Sequence, residues 1–277
     1  MNVCALIFAA LAAAGTGDSA APPAAATAAP TPAPVAALQP GAFFAHTVRE
    51  GTTELTTEKG AAPRALTRSE TFTASGQTVN APNGLTLMLV LSNGKALFMP
   101  QGGRITLDDF LQDPVFFTDR DRSYEPSKSN LRLTLTLGTL VVSGRKPEPT
   151  STFTLTTALA QFSFHAQSFV VHADADTVAV TLMDGTADIT IPETGFRDTL
   201  LPGQTATLTR PNLHNPYPIK LGPILTADQQ HFTDWLALAT LTESQISFSL
   251  QNKKWAATQR IVQSFTQQTS PDDPRFR

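Results

Sequence analysis

The chain writes apolar and polar residues in strict alternation over long stretches, and the alternation changes phase at glycines. In "GLTLMLVLSNGKALFM", residues 84–99, Leu85, Leu87, Leu89 and Leu91 share one face before Asn93-Gly94. That pair between alternating apolar runs is a strong hairpin signal. In "NLRLTLTLGTLVVSG", residues 130–144, Leu131, Leu133, Leu135 and Leu137 share a face up to Gly138, after which Leu140 and Val142 occupy the opposite parity. "TVAVTLMDGTADITI", residues 177–191, repeats the form, with Val178, Val180 and Leu182 before Asp184-Gly185 and Ala187, Ile189 and Ile191 after it. In residues 152–171, "TFTLTTALAQFSFHAQSFVV", Phe153, Leu155, Thr157 and Leu159 are in phase and Phe162 and Phe164 follow in the other. A last strand, "TATLT", follows Pro202-Gly203. Because side chains alternate across a strand, each shift demands a bulge or corner, which glycine accommodates through positive φ. The pattern predicts an all-β domain over residues 41–222, a β-solenoid-like or folded-over sheet. It is weakest before residue 66, where His46 is expected on a strand edge or loop.

The period changes in residues 223–277, which are predicted to form a helical C-terminal extension. Thr226 and Gln229 suggest a capping box, and Phe232, Trp235, Leu236 and Ala239 fall on one helical face. Trp255, Ile261, Val262 and Phe265 are read as a second amphipathic stretch, with "SFSLQN" as the break between the two. Such helices either cap the sheet or dock on a partner, which makes Trp235 and Trp255 the candidate docking face.

The first residues, "MNVCALIFAALAAAG", form an apolar run of signal-peptide length, too short to span a membrane, and small residues follow it. Residues 1–20 are therefore expected to be a signal peptide, with the mature chain starting between Ala20 and Ala26. Residues 21–40, "APPAAATAAPTPAPVAALQP", are a Pro/Ala-rich linker that cannot bury a core. The chain is thus expected to be exported to the periplasm, the cell surface or the medium. Cys4, the only cysteine of the 277 residues, lies in the segment to be removed. The mature chain then has no disulfide, zinc-thiolate site or cysteine nucleophile.

A net charge of −3, without any Lys/Arg-rich run, argues against a nucleic-acid partner. Three polar patterns bear on chemistry. His165 stands among Phe162, Phe164 and Phe169 with no acid or nucleophile near it in sequence, so it reads as a strand residue facing outward or a satisfied core histidine. His172, Asp174 and Asp176 of "HADAD" offer metal-ligand atoms, yet on a strand they lie about 7 Å apart per two residues, so the segment reads as an Asp-rich turn. Asp108, Asp109 and Asp113 of "DDFLQD" are too local for a glycosidase pair and read as a capped helical turn. Phosphate loops and nucleophile elbows are missing from the sequence. The reading is a protein that is not an enzyme and uses no cofactor or metal. Asn93, Gly94, Gly138, Asp184, Gly185, Pro202 and Gly203 are its structural turns.

Between about Thr71 and Leu208 the chain resembles the FecR-type domain, in a divergent exported branch. The elements that carry the likeness are "APNGLTLMLVLSNGKALFM", "ITLDDFLQDPV", "EPSKSNLRLTLTLGTLVV", "STFTLTT", "VAVTLMDGTADI" and "LLPGQTATL", in the family's order. The resemblance implies a solenoid-like or folded-over β domain in the bacterial envelope; in well-known members it is the periplasmic part of an anti-sigma regulator. This sequence lacks the sigma-binding region and the transmembrane helix of those members, and "FHAQSF", residues 164–169, replaces the family's Gly-Thr pair. The resulting expectation is a non-catalytic exported protein acting in binding, assembly or signalling, with an envelope protein or glycan as partner. The alternative is an exported carbohydrate-active enzyme on a β-solenoid scaffold.

Overall fold

A computed structural model describes residues 37–47, 53–56, 62–73, 75–114, 123–210, 219–252 and 254–260. The expected signal peptide, residues 21–36 of the linker, and Ile261, Val262 and Phe265 lie outside these residues.

The strands preceding the centre of the fold are β1 (Gln39–Pro40), β2 (Ala42–Thr47), β3 (Glu54–Thr56), β4 (Arg64–Ala65), β5 (Thr71–Thr73), β6 (Ser75–Ala81), β7 (Leu87–Leu91), β8 (Lys95–Met99) and β9 (Gly103–Gln112). The long β10 (Ser129–Gly144) stands at the centre. After it come β11 (Thr152–Thr156), β12 (Gln161–His165), β13 (Phe169–Ala173), β14 (Thr177–Leu182), β15 (Thr186–Ile191), β16 (Phe196–Leu200), β17 (Gln204–Thr209) and β18 (Ile219–Pro223). A C-terminal arm completes the chain: helix α1 (Thr226–Gln245) and the hairpin β19 (Ile246–Gln251) and β20 (Lys254–Gln259).

The pairings sort these strands into two layers. One runs β5-β2-β7-β8-β10-β13-β14-β17-β18. The other runs β4-β3-β6-β9-β10-β11-β12-β15-β16, with β1 beside the end of β9. β10 belongs to both. Its first half pairs with β9 and β11, its second half with β8 and β13, so the layers join along β10 and the sheet does not close into a barrel. The crossing falls at Gly138, with φ 107°, where a Cβ would lie 2.7 Å from the Gly102 carbonyl oxygen. Only glycine accepts that conformation and that approach.

Of the two forms expected from the alternation, the folded-over sheet is the one observed, since every ladder except β10–β11 is antiparallel among the described strands. The core lies between the layers and takes its residues from the predicted parities: Leu87, Leu89 and Leu91; Leu131, Leu133 and Leu135; Leu140 and Val142; Val178, Val180 and Leu182; Ile189 and Ile191. Leu137 departs from its predicted face. A register shift between Leu135 and Leu137 turns it outward, and it is 47% exposed. The Asn93-Gly94 turn joins β7 to β8, Gly94 donating its N–H to the Leu91 carbonyl at 3.0 Å. Asp184-Gly185 carries the chain from one layer to the other, and Pro202-Gly203 forms the turn from β16 to β17.

The outer face of the first layer is also apolar, and the arm covers it. Phe232, Trp235, Leu236 and Ala239 pack on Met88, Ala96, Phe98, Val141 and Val170, while Ile246 and Phe248 pack on Phe44 and Val90. Two expectations for this region are corrected. Leu225, not Thr226, is the N-cap, and it makes no side-chain cap bond, so the capping box does not form. The second amphipathic helix is a hairpin at Trp255: Ser247-Phe248-Ser249-Leu250 alternates with period two, and Asn252, at φ 49°, turns the chain.

Candidate binding groove

The fold keeps the three polar patterns of the sequence apart from one another, while within one of them His172 Nε2 lies 4.0 Å from Asp174 Oδ2. His165 faces solvent at the end of β12, while its neighbour Phe164 is buried among Phe153, Phe162 and Phe169. His172 shares a hydrogen bond with Thr139 Oγ1 at 3.0 Å. Asp174 accepts the backbone N–H groups of Asp176 at 2.8 Å and Thr177 at 2.6 Å, which closes the turn from β13 to β14 and holds its carboxyl below the ordinary range. Asp176 pairs with Arg210 at 3.1 Å. The helical turn expected at Asp108–Asp113 is instead bulged strand. Asp108 accepts from Thr134 at 2.8 Å and Asp109 pairs with Arg132 at 3.0 Å, because the register shifts between Arg132 and Leu133 and brings both acids to the outer face. Asp113 follows β9, its N–H donating to the Lys128 carbonyl at 2.9 Å. Asp184 accepts from the Gln167 N–H at 2.6 Å and from the Ser168 hydroxyl, pinning the "FHAQSF" turn.

One end of the core holds a polar network that the alternation did not announce. Lys95 Nζ lies 3.4 Å from Glu125 Oε1, with the two side chains 2% and 1% exposed. Lys95 also donates to the Arg145 carbonyl at 3.2 Å. Asn93 donates to Ser129 Oγ at 3.0 Å, and Ser129 donates to Glu125 Oε2 at 3.2 Å. Gln112 joins a second set, accepting from Ser92 at 2.6 Å and donating to Ser127 at 2.9 Å. Burial pushes the Glu125 carboxyl up, opposed by the Lys95 charge and by hydrogen bonds from Ser151, Lys95 and Ser129. The space around Lys95 and Glu125 admits no water-sized sphere, so this network ties loops together rather than receiving a ligand.

The two tryptophans occupy different settings. Trp235 belongs to the packing of α1 on the sheet. Trp255 projects from β20 toward the end of β1, where its indole N–H donates to the Pro40 carbonyl at 2.7 Å, and its ring meets Phe248 edge-on, centroids 6.3 Å apart. It borders a groove of about 620 Å³ lined by Gln39, Thr71, Phe72, Gln77 and Lys254 among others. Gln77 Oε1 is shut off from water and accepts no hydrogen bond. A smaller cleft of about 270 Å³ lies where α1 passes into β19. There Arg145 donates to Glu243 at 3.2 Å, and burial raises the Glu243 carboxyl against the pull of Arg145 and Lys95. Ser143 bonds Thr240 at 2.7 Å, and His46, on β2, meets Gln259 at 3.3 Å. These contacts fasten the arm along its length.

These features define a two-layer, all-β protein whose C-terminal helix and hairpin are part of its packing. Two crystal structures of a "putative anti-sigma factor" from Parabacteroides distasonis are similar to it, with TM-scores of 0.42 and 0.40 and identities of 16% and 14%. Each comparison covers 56% of this chain and 63% or 64% of the other, so the likeness spans less than two thirds of those chains. No family model and no curated protein matches the sequence.

Proposed function

We propose that the chain is a non-catalytic, exported FecR-like protein that binds or assembles with a component of the bacterial cell envelope. The observation that carries this reading is the groove at Trp255, built where the arm meets β1, the last two residues of the expected Pro/Ala linker. A fixed aromatic beside polar amides and hydroxyls suits recognition. The groove's lining includes no carboxylate among the described residues, and Asp108 and Asp109 are already bonded on strand β9, which disfavours the alternative of a carbohydrate-active enzyme. Among the described residues no helix is long and apolar enough to cross a membrane. The FecR resemblance also supports a signalling role, in which the groove would engage another envelope protein.

Fractionation of cells producing the tagged chain, followed by mass spectrometry, tests export: the expected product lies in the envelope or medium and starts between Ala20 and Ala26. A photo-cross-linker at Lys254 should form adducts with envelope material, whereas one at Ser163 on the opposite layer should not. Recovery of a chain retaining Met1 from the cytoplasm, or equal cross-linking from both positions, overturns the proposal.

A further inference from the structure

We infer that the cleft where α1 passes into β19 binds a small amphipathic monocarboxylate, its oxygens on the guanidinium groups of Arg145 and Arg260 and its apolar body on the neighbouring side chains. This goes beyond the reading given above and uses a different site from the groove at Trp255. The cleft measures about 270 Å³, just under the roughly 300–1,000 Å³ of pockets that take drug-sized ligands, so its occupant is small. Its lining divides by chemistry. Arg145, Arg260, Ser244 and Ser247 bring charge and hydroxyls, while Pro126 and Phe248, both half-buried, bring apolar surface.

Arg145 is held in place before any ligand arrives. Its backbone N–H donates to the Gly94 carbonyl at 2.9 Å, and its side chain lies across Gly94, where a Cβ would meet Arg145 Cδ at 2.7 Å. Its Nε donates to Glu243 at 3.2 Å, and the side chain is 30% exposed. The two Nη groups make no hydrogen bond among the described residues. A guanidinium fixed in this way offers a pair of parallel N–H groups to a carboxylate with little further loss of freedom. Arg260 follows β20, and its backbone N–H donates to the Gln245 carbonyl at 2.8 Å. Among the described residues its guanidinium has no acceptor, and the Ser247 hydroxyl has no partner.

Charge narrows the ligand. Two guanidiniums face one carboxylate, Glu243, so the lining leaves one positive charge unmatched among the described residues. A monoanion matches that charge. A phosphate dianion exceeds it, and a neutral sugar or a stretch of peptide backbone leaves it uncompensated. Both arginines also lie at the C-terminal end of α1, whose last turn holds no basic side chain, and they complement its negative end. That role draws on their charge and leaves the free N–H groups without acceptors. The apolar walls separate a carboxylate that carries a short hydrocarbon body from a mineral anion, because only the former removes apolar surface from water when it enters.

The full chain is titrated at neutral pH and constant ionic strength with hexanoate, its neutral isostere hexanamide, and inorganic phosphate, following backbone amide signals by nuclear magnetic resonance. The expected result is saturable binding of hexanoate at millimolar concentration, with shifts centred on Ser244, Ser247 and Arg260. Hexanamide and phosphate should each bind at least about ten-fold more weakly. Arg260→Gln should weaken hexanoate about ten-fold without a change in melting temperature, since that guanidinium bonds nothing in the folded chain. Arg145→Gln should abolish binding, and Arg145→Lys, which keeps the charge and loses the fork, should not restore it. Because substituting Arg145 also removes the bond to Glu243, Arg260→Gln decides the matter where the Arg145 variants fail to fold. Absence of saturable binding overturns the inference, as does binding that Arg260→Gln leaves unchanged. Hexanamide or phosphate binding as tightly as hexanoate overturns the monocarboxylate. None of these results bears on export or on cross-linking at Lys254, so the envelope-binding reading stands or falls separately.

Discussion

Replacing Lys95 by methionine keeps the length of the side chain and removes its charge from a site where both members of the ion pair are almost fully buried. Removing one partner of a buried pair costs about 3–5 kcal/mol, chiefly because the other is left uncompensated. Here the remaining group is Glu125, whose carboxyl burial has already pushed up and whose largest opposing influence is the Lys95 charge. Without Lys95 it rises further. A group that holds its proton more tightly when folded contributes stability below its unfolded pKa, near 4.5, and that contribution is lost as pH rises through the folded value. The Lys95→Met penalty should therefore be about 3–5 kcal/mol at about pH 8. At about pH 5 it should shrink toward the roughly 1–3 kcal/mol expected for the acceptor left unpaired at the Arg145 carbonyl. Urea unfolding followed by circular dichroism at both pH values measures this, with unchanged m-values indicating that the same surface is exposed. Glu125→Gln in the Lys95→Met background should restore part of the loss at the higher pH, because no buried charge then remains at that position. A penalty independent of pH, or one that grows in acid, would refute the assignment of the loss to the Glu125 charge.

Phe164→Ala should cost about 3–5 kcal/mol through lost burial and a cavity, whereas His165→Ala should stay within about 0.5 kcal/mol; thermal melts of the two variants give the contrast, and a larger loss for His165→Ala would mean that β12 faces the other way. Gly138→Ala forces a side chain into positive φ against the Gly102 carbonyl, and a loss of at least about 1–3 kcal/mol is expected in urea unfolding. Removing residues 223–277 bares Met88, Phe98, Val141 and Val170, so the shortened chain should aggregate in light scattering; a monomer with an unchanged melting temperature would show that the arm contributes no packing.

The strands were legible because the pleat imposes period two and the two layers require an apolar inner face. Gly138 and Gly185 were legible as corners because the parity changes around them. Leu137 was misplaced because its bulge is set by the partner strand: Arg104 of β9 pairs with Leu137, and Ile105 with Leu135, a count no single strand records. The same kind of bulge was hidden at Asp108, where three nearby acids resembled a helical turn. The hairpin at Trp255 was missed although Phe248 and Leu250 alternate, because Trp255, Ile261, Val262 and Phe265 were joined into one helical stripe. The candidate groove was half legible. Trp255 stood out as a large aromatic outside the main strands, but Gln39, Phe72 and Gln77 come from β1, β5 and β6 and meet it only through topology. Lys95 and Glu125 were invisible for the same reason: they are distant in sequence, and they meet because β8 sets Lys95 beside Gly144 while the Glu125 N–H bonds the Lys146 carbonyl just beyond β10.

The double membership of β10 has a consequence for the order of assembly. Among the described strands, β2 to β9 place four strands in each layer before β10, and β11 to β18 place four in each layer after it. A chain folded only as far as Lys128 holds the edges of β8 and β9 open at once, and unpaired edges of this kind recruit other chains. Both are closed by the next sixteen residues. A chain that folds from its N-terminus therefore exposes both edges immediately before the segment that covers them. For the same reason, separately produced pieces 1–128 and 129–277 should find each other and co-purify, because the second piece brings the one strand that both open edges of the first require.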